Sequence, residues 1–394
     1  MRIAEVAEFY SPTGGGVRSY IDRKFTAAAA AGHELFVLAP AGEDSFEPRL
    51  GGGVVWIRSP QLPMDSNYHM FWRAESVFRQ LDLLRPDLVE ASSPWRGAWI
   101  AAGWPGAAPR ALFVHADPVA SYPQRWLAPI ARPEQVDRLF AAYWSYQRRL
   151  ARRFDRLVVG GDWLAARLAA NGVDGAISIP LGVDRGLFSP LRRDTALRAE
   201  LLAACSLPVS ATLLVAVGRF HPEKRWPMVI SAVLKAAETA PMGLVLIGDG
   251  LDRARVIRAA AGHPHISIMA PVHERRRLAS ILASADALVH GGESETFGLV
   301  AAEAVASGTP IVVPDRGGCA DLANPAVSEV YRAGEANAVA AALLRLIGRV
   351  PARLRREAIR LAALARSDEQ HFKELFETYA ALAVSRAEPN RAVA

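Results

Sequence analysis

Two doubly wound α/β domains in one chain of 394 residues are what this sequence predicts. Three observations carry the prediction. Short runs rich in Val, Ile and Leu alternate with helical patterns, as in parallel sheets covered on both faces. The rhythm breaks at Pro180–Asp194 (PLGVDRGLFSPLRRD), which has proline, glycine and charge but no period, and then restarts. The length also exceeds what one hydrophobic core usually serves.

Strands are expected at Ile3–Phe9, Leu35–Ala39, Val54–Ile57, Leu88–Ala91, Ala111–His115, Leu157–Val159 and Ile177–Ile179. Helices begin at Val17 and near Ala74–Leu84 in the same half. The second half places strands at Leu213–Val217, Leu244–Ile247, Ile266–Met269, Ala287–His290 and Ile311–Val313. Between them lie helices Met228–Glu238, Asp252–Ala261, Glu274–Ala283 and Gly298–Ala306. The expected division is residues 1–185, residues 195–365, and a tail 366–394. In the tail, Ser367 and Gln370 form a capping-box pattern. Phe372, Leu375, Phe376, Tyr379 and Leu382 then make one helical stripe, expected to pack back on the amino-terminal half.

Composition narrows the function. With 51% hydrophobic and 22% charged residues the chain is globular. No apolar run reaches the roughly 18 residues of a membrane helix. The start Met1-Arg2-Ile3-Ala4-Glu5 does not read as a signal peptide, so a cytoplasmic protein is expected. Cys205 and Cys319 have neither metal-ligand spacing nor a disulfide framework. The net charge of +6 comes almost wholly from arginine, the lysines being Lys24, Lys224, Lys235 and Lys373. That charge suits nucleic acid, anionic lipid or phosphorylated small molecules, but as a bias of composition it decides nothing alone, and no base-stacking motif is present.

The chemistry concentrates at strand ends. In HGGESETFGLVAAEA (His290–Ala304), a strand leads through a glycine turn into a helix. The N–H groups of Phe297, Gly298 and Leu299 stand at the helix start, which favours an anion such as phosphate. Glu295 at the mouth and Glu303 just over a turn inside can each accept hydrogen bonds from a diol. A ligand with hydroxyls on both sides of a phosphate satisfies all of this, and a sugar nucleotide is one. Taken alone, the stretch equally suits a surface helix with acids at its positive end. In GRFHPEKRW (Gly218–Trp226), Arg219 and Lys224 end another strand, where two cations can neutralise a leaving diphosphate. SPTGGGVRSY (Ser11–Tyr20) is a glycine turn after the first strand, with Ser19 where a dinucleotide fingerprint has Gly or Ala. FVHADP places His115, beside Asp117, at a strand end facing the same cleft. Gly248-Asp249-Gly250 ends a further strand.

Together these residues resemble the retaining glycosyltransferases of the GT-B fold, glycosyltransferase family 4 (group 1), over nearly the whole chain. The most specific part is Glu293–Gly318, whose Glu295 and Glu303 match the family's glutamate–seven–glutamate motif. The resemblance implies two Rossmann-like domains facing a cleft, and a hexose moved from a nucleotide diphosphate (UDP- or GDP-linked) with retention, to a lipid, lipid-linked saccharide or polysaccharide. It implies that Glu295 contacts donor-sugar hydroxyls and Glu303 the ribose diol. Phe297, Gly298 and Leu299 would serve the sugar-diphosphate, and Arg219 and Lys224 the diphosphate. Gly15 and Gly16 would form the amino-terminal glycine loop, and His115 would lie near the donor sugar. Arg225 after Lys224, Leu181, Asp321 and Gly291-Gly292 depart from the usual pattern. No metal or cofactor is expected, since Arg219, Lys224 and helix dipoles would act on the diphosphate.

Two other readings remain at this stage. One is a Rossmann epimerase or dehydrogenase acting on sugar nucleotides; the other is a non-catalytic carbohydrate- or nucleic-acid-binding protein. A last expectation concerns YQRRLARRFDR (Tyr146–Arg156). Arg148, Arg149, Arg152, Arg153 and Arg156 at helical spacing, with Phe140, Tyr143, Trp144 and Leu150 nearby, suit peripheral contact with an anionic membrane.

Overall fold

The structure is a computed structural model and describes residues 1–12, 16–62, 65–128 and 130–391. The chain divides into two compact units. The first comprises Met1–Ala116, Ile130–Pro180 and Asp368–Ala394; the second, Asp117–Pro129 and Leu181–Ser367.

The first unit is built on a sheet of β1 (Arg2–Val6), β2 (Glu34–Ala41), β3 (Ser45–Arg49), β4 (Gly52–Arg58), β7 (Leu88–Ala91), β8 (Arg110–Val114), β9 (Arg156–Val159) and β10 (Ala176–Ser178). A small hairpin, β5 (Gln61–Leu62) with β6 (Asp65–His69), forms a separate two-stranded sheet in contact with β2. The sheet order is β10-β9-β8-β7-β1-β2-β4-β3. Every pair is parallel except β3–β4. β7 is buried throughout and β1 from Ile3 onward, as expected of apolar runs with helices on both faces.

The second unit holds one parallel sheet: β11 (Thr212–Val217), β12 (Met242–Ile247), β13 (Ile266–Met269), β14 (Ala287–Val289), β15 (Ile311–Pro314) and β16 (Glu329–Tyr331). Its order is β13-β12-β11-β14-β15-β16. The order reverses beside β11 and β14, so the loops that follow these two strands lie side by side at the strands' carboxyl ends. In open α/β sheets that is where ligands bind.

The last helix, Asp368–Arg391, packs on helix Gly16–Ala30 within the first unit. Phe372, Leu375, Phe376, Tyr379 and Leu382 are buried. The Tyr20 hydroxyl hydrogen-bonds His371 Nε2 at 3.0 Å, and Arg23 meets Asp368 at 2.5 Å. Beneath this helix lies a fully buried charge cluster. Lys24 Nζ donates to Glu5 at 2.9 Å and also to Glu90, and Ser92 donates to Glu5 at 2.6 Å.

One expectation fails here. The arginines from Arg148 to Arg156 do not share a helical face. The helix Ala141–Ala151 stops short of most of them: Arg152 caps it and Arg156 opens β9. Asp155 causes the turn, because its N–H bonds the Arg110 carbonyl and its carboxylate accepts the Arg110 N–H, stitching the chain to β8. Trp144 and Leu150 are buried and not interfacial. Arg148 donates to the Asn171 carbonyl and Arg153 lies over Trp99. No helix among the described residues is long and apolar enough to cross a membrane.

Candidate active site

In the second unit, the loops after β11 and β14 interlock. A Cβ at Gly291 would lie 2.5 Å from the Lys224 carbonyl oxygen, so only glycine lets the two backbones touch. Gly298 precedes helix Leu299–Ala306 with φ +89°, a left-handed conformation, and a side chain there would overlap Cys319 Sγ. The first helical bonds run from Ala301 and Ala302 to the Gly298 carbonyl. The N–H groups of Phe297, Gly298 and Leu299 thus sit at the positive end of the helix. The buried Phe297 ring anchors the turn. The loop after β15 closes the other side, where Gly318 N–H donates to the Glu295 carbonyl at 2.6 Å.

Cations and carboxylates alternate along this surface. Lys224 Nζ pairs with the Glu295 carboxylate, Arg225 with Glu293, and Arg219 with Glu223 at 3.4 Å. Arg225 takes a left-handed backbone at φ +51°, which explains why glycine is common at such a position. Burial lowers the Lys224 ammonium from its usual value despite the attraction of Glu223. His290 Nε2 lies 3.4 Å from Glu295 Oε1. Burial, with Lys224 beside it, pushes the imidazole down to about 3, so it is neutral. Arg219 is the outlier: its side chain is 72% exposed and can swing onto a ligand.

Glu303 is nearly buried and accepts from Arg275 Nη2 at 2.8 Å; Arg275 itself stacks over Phe188 at 4.9 Å. The sequence reading missed Arg275, which lies 28 residues from Glu303 with no motif between them. It also missed His290, which read only as the end of a strand. Asp117 takes a part its motif did not suggest: Oδ1 accepts the N–H groups of Val119 and Ala120 and so caps a turn of the second unit.

Glu295, Glu303, Lys224, Arg219, Phe297, Gly298 and Leu299 therefore belong to the second unit. His115 and Gly16 belong to the first. Gly16 opens helix Gly16–Ala30, and Gly15 lies outside the described residues. His115 follows β8 and stacks on Phe113 at 4.3 Å, with Tyr20 edge-on at 5.1 Å. Burial and the Lys24 charge push it down to about 3, so a neutral ring is present at pH 7.

Two parallel-sheet units, with cations and a helix start at the strand ends of the second, define the GT-B class of glycosyltransferase. Solved structures agree on the fold. The sucrose-phosphate synthase of Thermosynechococcus elongatus superposes with a TM-score of 0.77 at 19% identity, covering 98% of this chain and 100% of that one. Residues 14–187 match Glycosyltransferase Family 4, and residues 211–349 match the Glycosyl transferases group 1. A Mycobacterium tuberculosis GDP-mannose-dependent alpha-(1-6)-phosphatidylinositol dimannoside mannosyltransferase is 31% identical over 84% of this chain and 87% of its own. A GDP-mannose-dependent alpha-mannosyltransferase from the same species is 32% identical over 82% of each chain. The chain belongs to glycosyltransferase family 4 (group 1), and it is a glycosyltransferase that uses a nucleotide sugar.

Proposed function

We propose that this enzyme moves mannose from GDP-mannose, with retention, onto a lipid or lipid-linked saccharide. What carries the reading is the second-unit site: Lys224 and Arg219, the start of helix Leu299–Ala306, and Glu295 and Glu303 gathered at the ends of β11 and β14. Mannose and lipid come from the two mycobacterial relatives, whose names state GDP-mannose and, in one, a phosphatidylinositol dimannoside.

In this reading the diphosphate displaces Glu295 from Lys224. The ammonium and the helix N–H groups then hold the charge that develops as the glycosidic C–O bond breaks. The released Glu295 accepts hydroxyls of the mannose. Glu303, oriented by Arg275, accepts the ribose hydroxyls. The family resemblance assigns His115 to the donor sugar, and its neutral ring suits hydrogen bonding there without added positive charge. Retention follows if the acceptor attacks the face that the diphosphate leaves, its proton passing to the departing phosphate. No step requires a metal, because fixed cations act on the leaving group. The acceptor brings the enzyme to an anionic membrane face, with exposed Arg149, Arg152, Arg153 and Arg156 as the contact.

A thermal-shift screen of GDP- and UDP-sugars, followed by mass spectrometry of a turnover mixture, tests the donor. GDP-mannose should give the largest shift and a product heavier by one hexose. Glu303→Gln should weaken GDP binding, whereas Glu295→Gln should cut turnover while GDP still binds. Stabilisation by NAD without glycosyl transfer would favour the epimerase or dehydrogenase reading instead.

A further inference from the structure

The turn that Asp117 caps carries none of the donor motifs. Residues 117–128 follow β8 directly in sequence, yet they group with the second unit. Ala120–Gln124 forms a wide helical turn with Pro123 inside it, continuing into Arg125–Leu127. A proline there removes a helical hydrogen bond, and wide turns of this kind cluster at functional sites. Tyr122 stands edge-on to the His221 ring, centroids 6.2 Å apart, and Trp126 lies 5.8 Å from Tyr122. His221 is part of the same loop as Arg219, Lys224 and Arg225. The strap is thereby pinned to the cation loop.

Arg125, one turn along from Tyr122, differs from the other cations. Arg219, Lys224 and Arg225 each hold a carboxylate. Arg125 Nε donates to the Ser121 carbonyl at 3.2 Å, and among the described residues the guanidinium forms no ion pair. The charges that face it are Arg225, Glu223 and Asp252, and partial burial and Arg225 both disfavour its positive form. Glu223 is already engaged by Arg219 and Asp252 by Arg255, so this half-buried guanidinium, on a strap set against the cation loop, has no carboxylate of its own. Its N–H groups are available to an anion arriving at the loop.

We propose that Arg125 is a donor-positioning residue, held by Tyr122 against His221, and that it completes the cation set around the diphosphate of the nucleotide sugar. The inference rests on Arg219 and Lys224 serving that diphosphate. It adds a contact from a segment no donor motif contains.

Calorimetric titration with GDP, UDP, guanosine and inorganic pyrophosphate tests it on the full chain. Arg125→Ala should weaken binding of pyrophosphate, and of whichever nucleoside diphosphate the wild type takes, roughly tenfold. That is the effect of losing one charge-assisted hydrogen bond. Guanosine affinity and the melting temperature should stay unchanged. Arg125→Lys should recover part of the loss, and Arg125→Glu should lose more than Arg125→Ala. In turnover, the donor KM should rise with kcat nearly kept. Tyr122→Ala should reproduce the KM effect in weaker form. Lys224→Ala is the reference. If it abolishes diphosphate binding while Arg125→Ala stays within twofold of wild type, the strap has no donor role and the site reading stands. If neither variant changes diphosphate affinity, or wild type binds no nucleoside diphosphate, both fail together. Equal losses for guanosine and GDP in Arg125→Ala would assign the residue a structural role and overturn the proposal.

Discussion

Gly298→Ala should damage both stability and donor binding. At φ +89° an alanine pays the left-handed penalty, about 1–2 kcal/mol. The new methyl also overlaps Cys319 Sγ, and the Cα and Cβ of Cys319 stand only 3.5 Å from it. Cys319 is fully buried, so the sulfur has no open space to enter. Overpacking of this kind costs about 1–3 kcal/mol. The sum, roughly 2–5 kcal/mol, lowers the melting transition of the second unit by about 5–15 °C at a few degrees per kcal/mol. The same overlap moves the start of helix Leu299–Ala306 away from where a phosphate sits, so GDP affinity should fall as well. Adding Cys319→Ala removes the sulfur but leaves the backbone penalty. The double variant should recover the overlap share, giving a coupling of about 1–3 kcal/mol in a double-mutant cycle. Differential scanning calorimetry and GDP titration of the four proteins measure both effects. A melting shift under about 2 °C for Gly298→Ala with normal GDP affinity would refute the argument, and so would purely additive effects.

Lys24→Met strips the counter-charge from buried Glu5 and Glu90, which should cost about 3–5 kcal/mol at pH 8. In the wild type, burial raises Glu90 to about 7, against Lys24. An acid raised in the folded state adds stability at low pH that is lost as pH rises from its unfolded value through about 7. Without Lys24 the rise is larger, so the deficit of the variant should shrink at about pH 5.5; urea melts giving a pH-independent deficit would contradict this. Lys224→Ala should slow turnover on the order of 10²-fold or more under saturating donor, and near-normal steady-state rates would reduce Lys224 to a rim charge. EDTA should leave turnover largely intact; complete loss restored by a divalent cation would overturn the metal-free chemistry. Reversing Arg149, Arg152, Arg153 and Arg156 to Glu should weaken co-sedimentation with anionic liposomes and its salt sensitivity; unchanged sedimentation would remove these arginines from the contact.

How much of this was legible depended on range. The buried parallel strands declared themselves because apolar runs such as Leu213–Val217 and Leu244–Ile247 need no partner information to be recognised. The edge strand β3, SFEPR, did not, because it has no apolar alternation: on this antiparallel edge its Phe46 and Pro48 are exposed, while Glu47 and Arg49 are the partly buried residues. The glutamates at 295 and 303 stood out through their spacing around a glycine turn. Arg275 did not, because it meets Glu303 across 28 residues that local pattern cannot bridge; Arg125 did not, because its strap follows a strand of the first unit yet groups with the second. The arginine run from Arg148 to Arg156 misled for the converse reason. Its periodicity was real, but one tertiary contact, Asp155 with Arg110, ended the helix.

The chain passes between its two units after residues 116, 129, 180 and 367. During synthesis, therefore, the second unit receives its last residue before the first does. The first unit must wait for Asp368–Arg391 to leave the ribosome before Tyr20 and the Lys24 cluster are covered. Until then a nascent chain shows an apolar helix face with buried-type charge beneath it, a surface suited to chaperone capture or to association with other nascent chains. A polypeptide cut at the apparent joint inherits the same defect permanently. The carboxyl-terminal piece loses the strap at 117–128, and the amino-terminal piece loses the helix that closes its core.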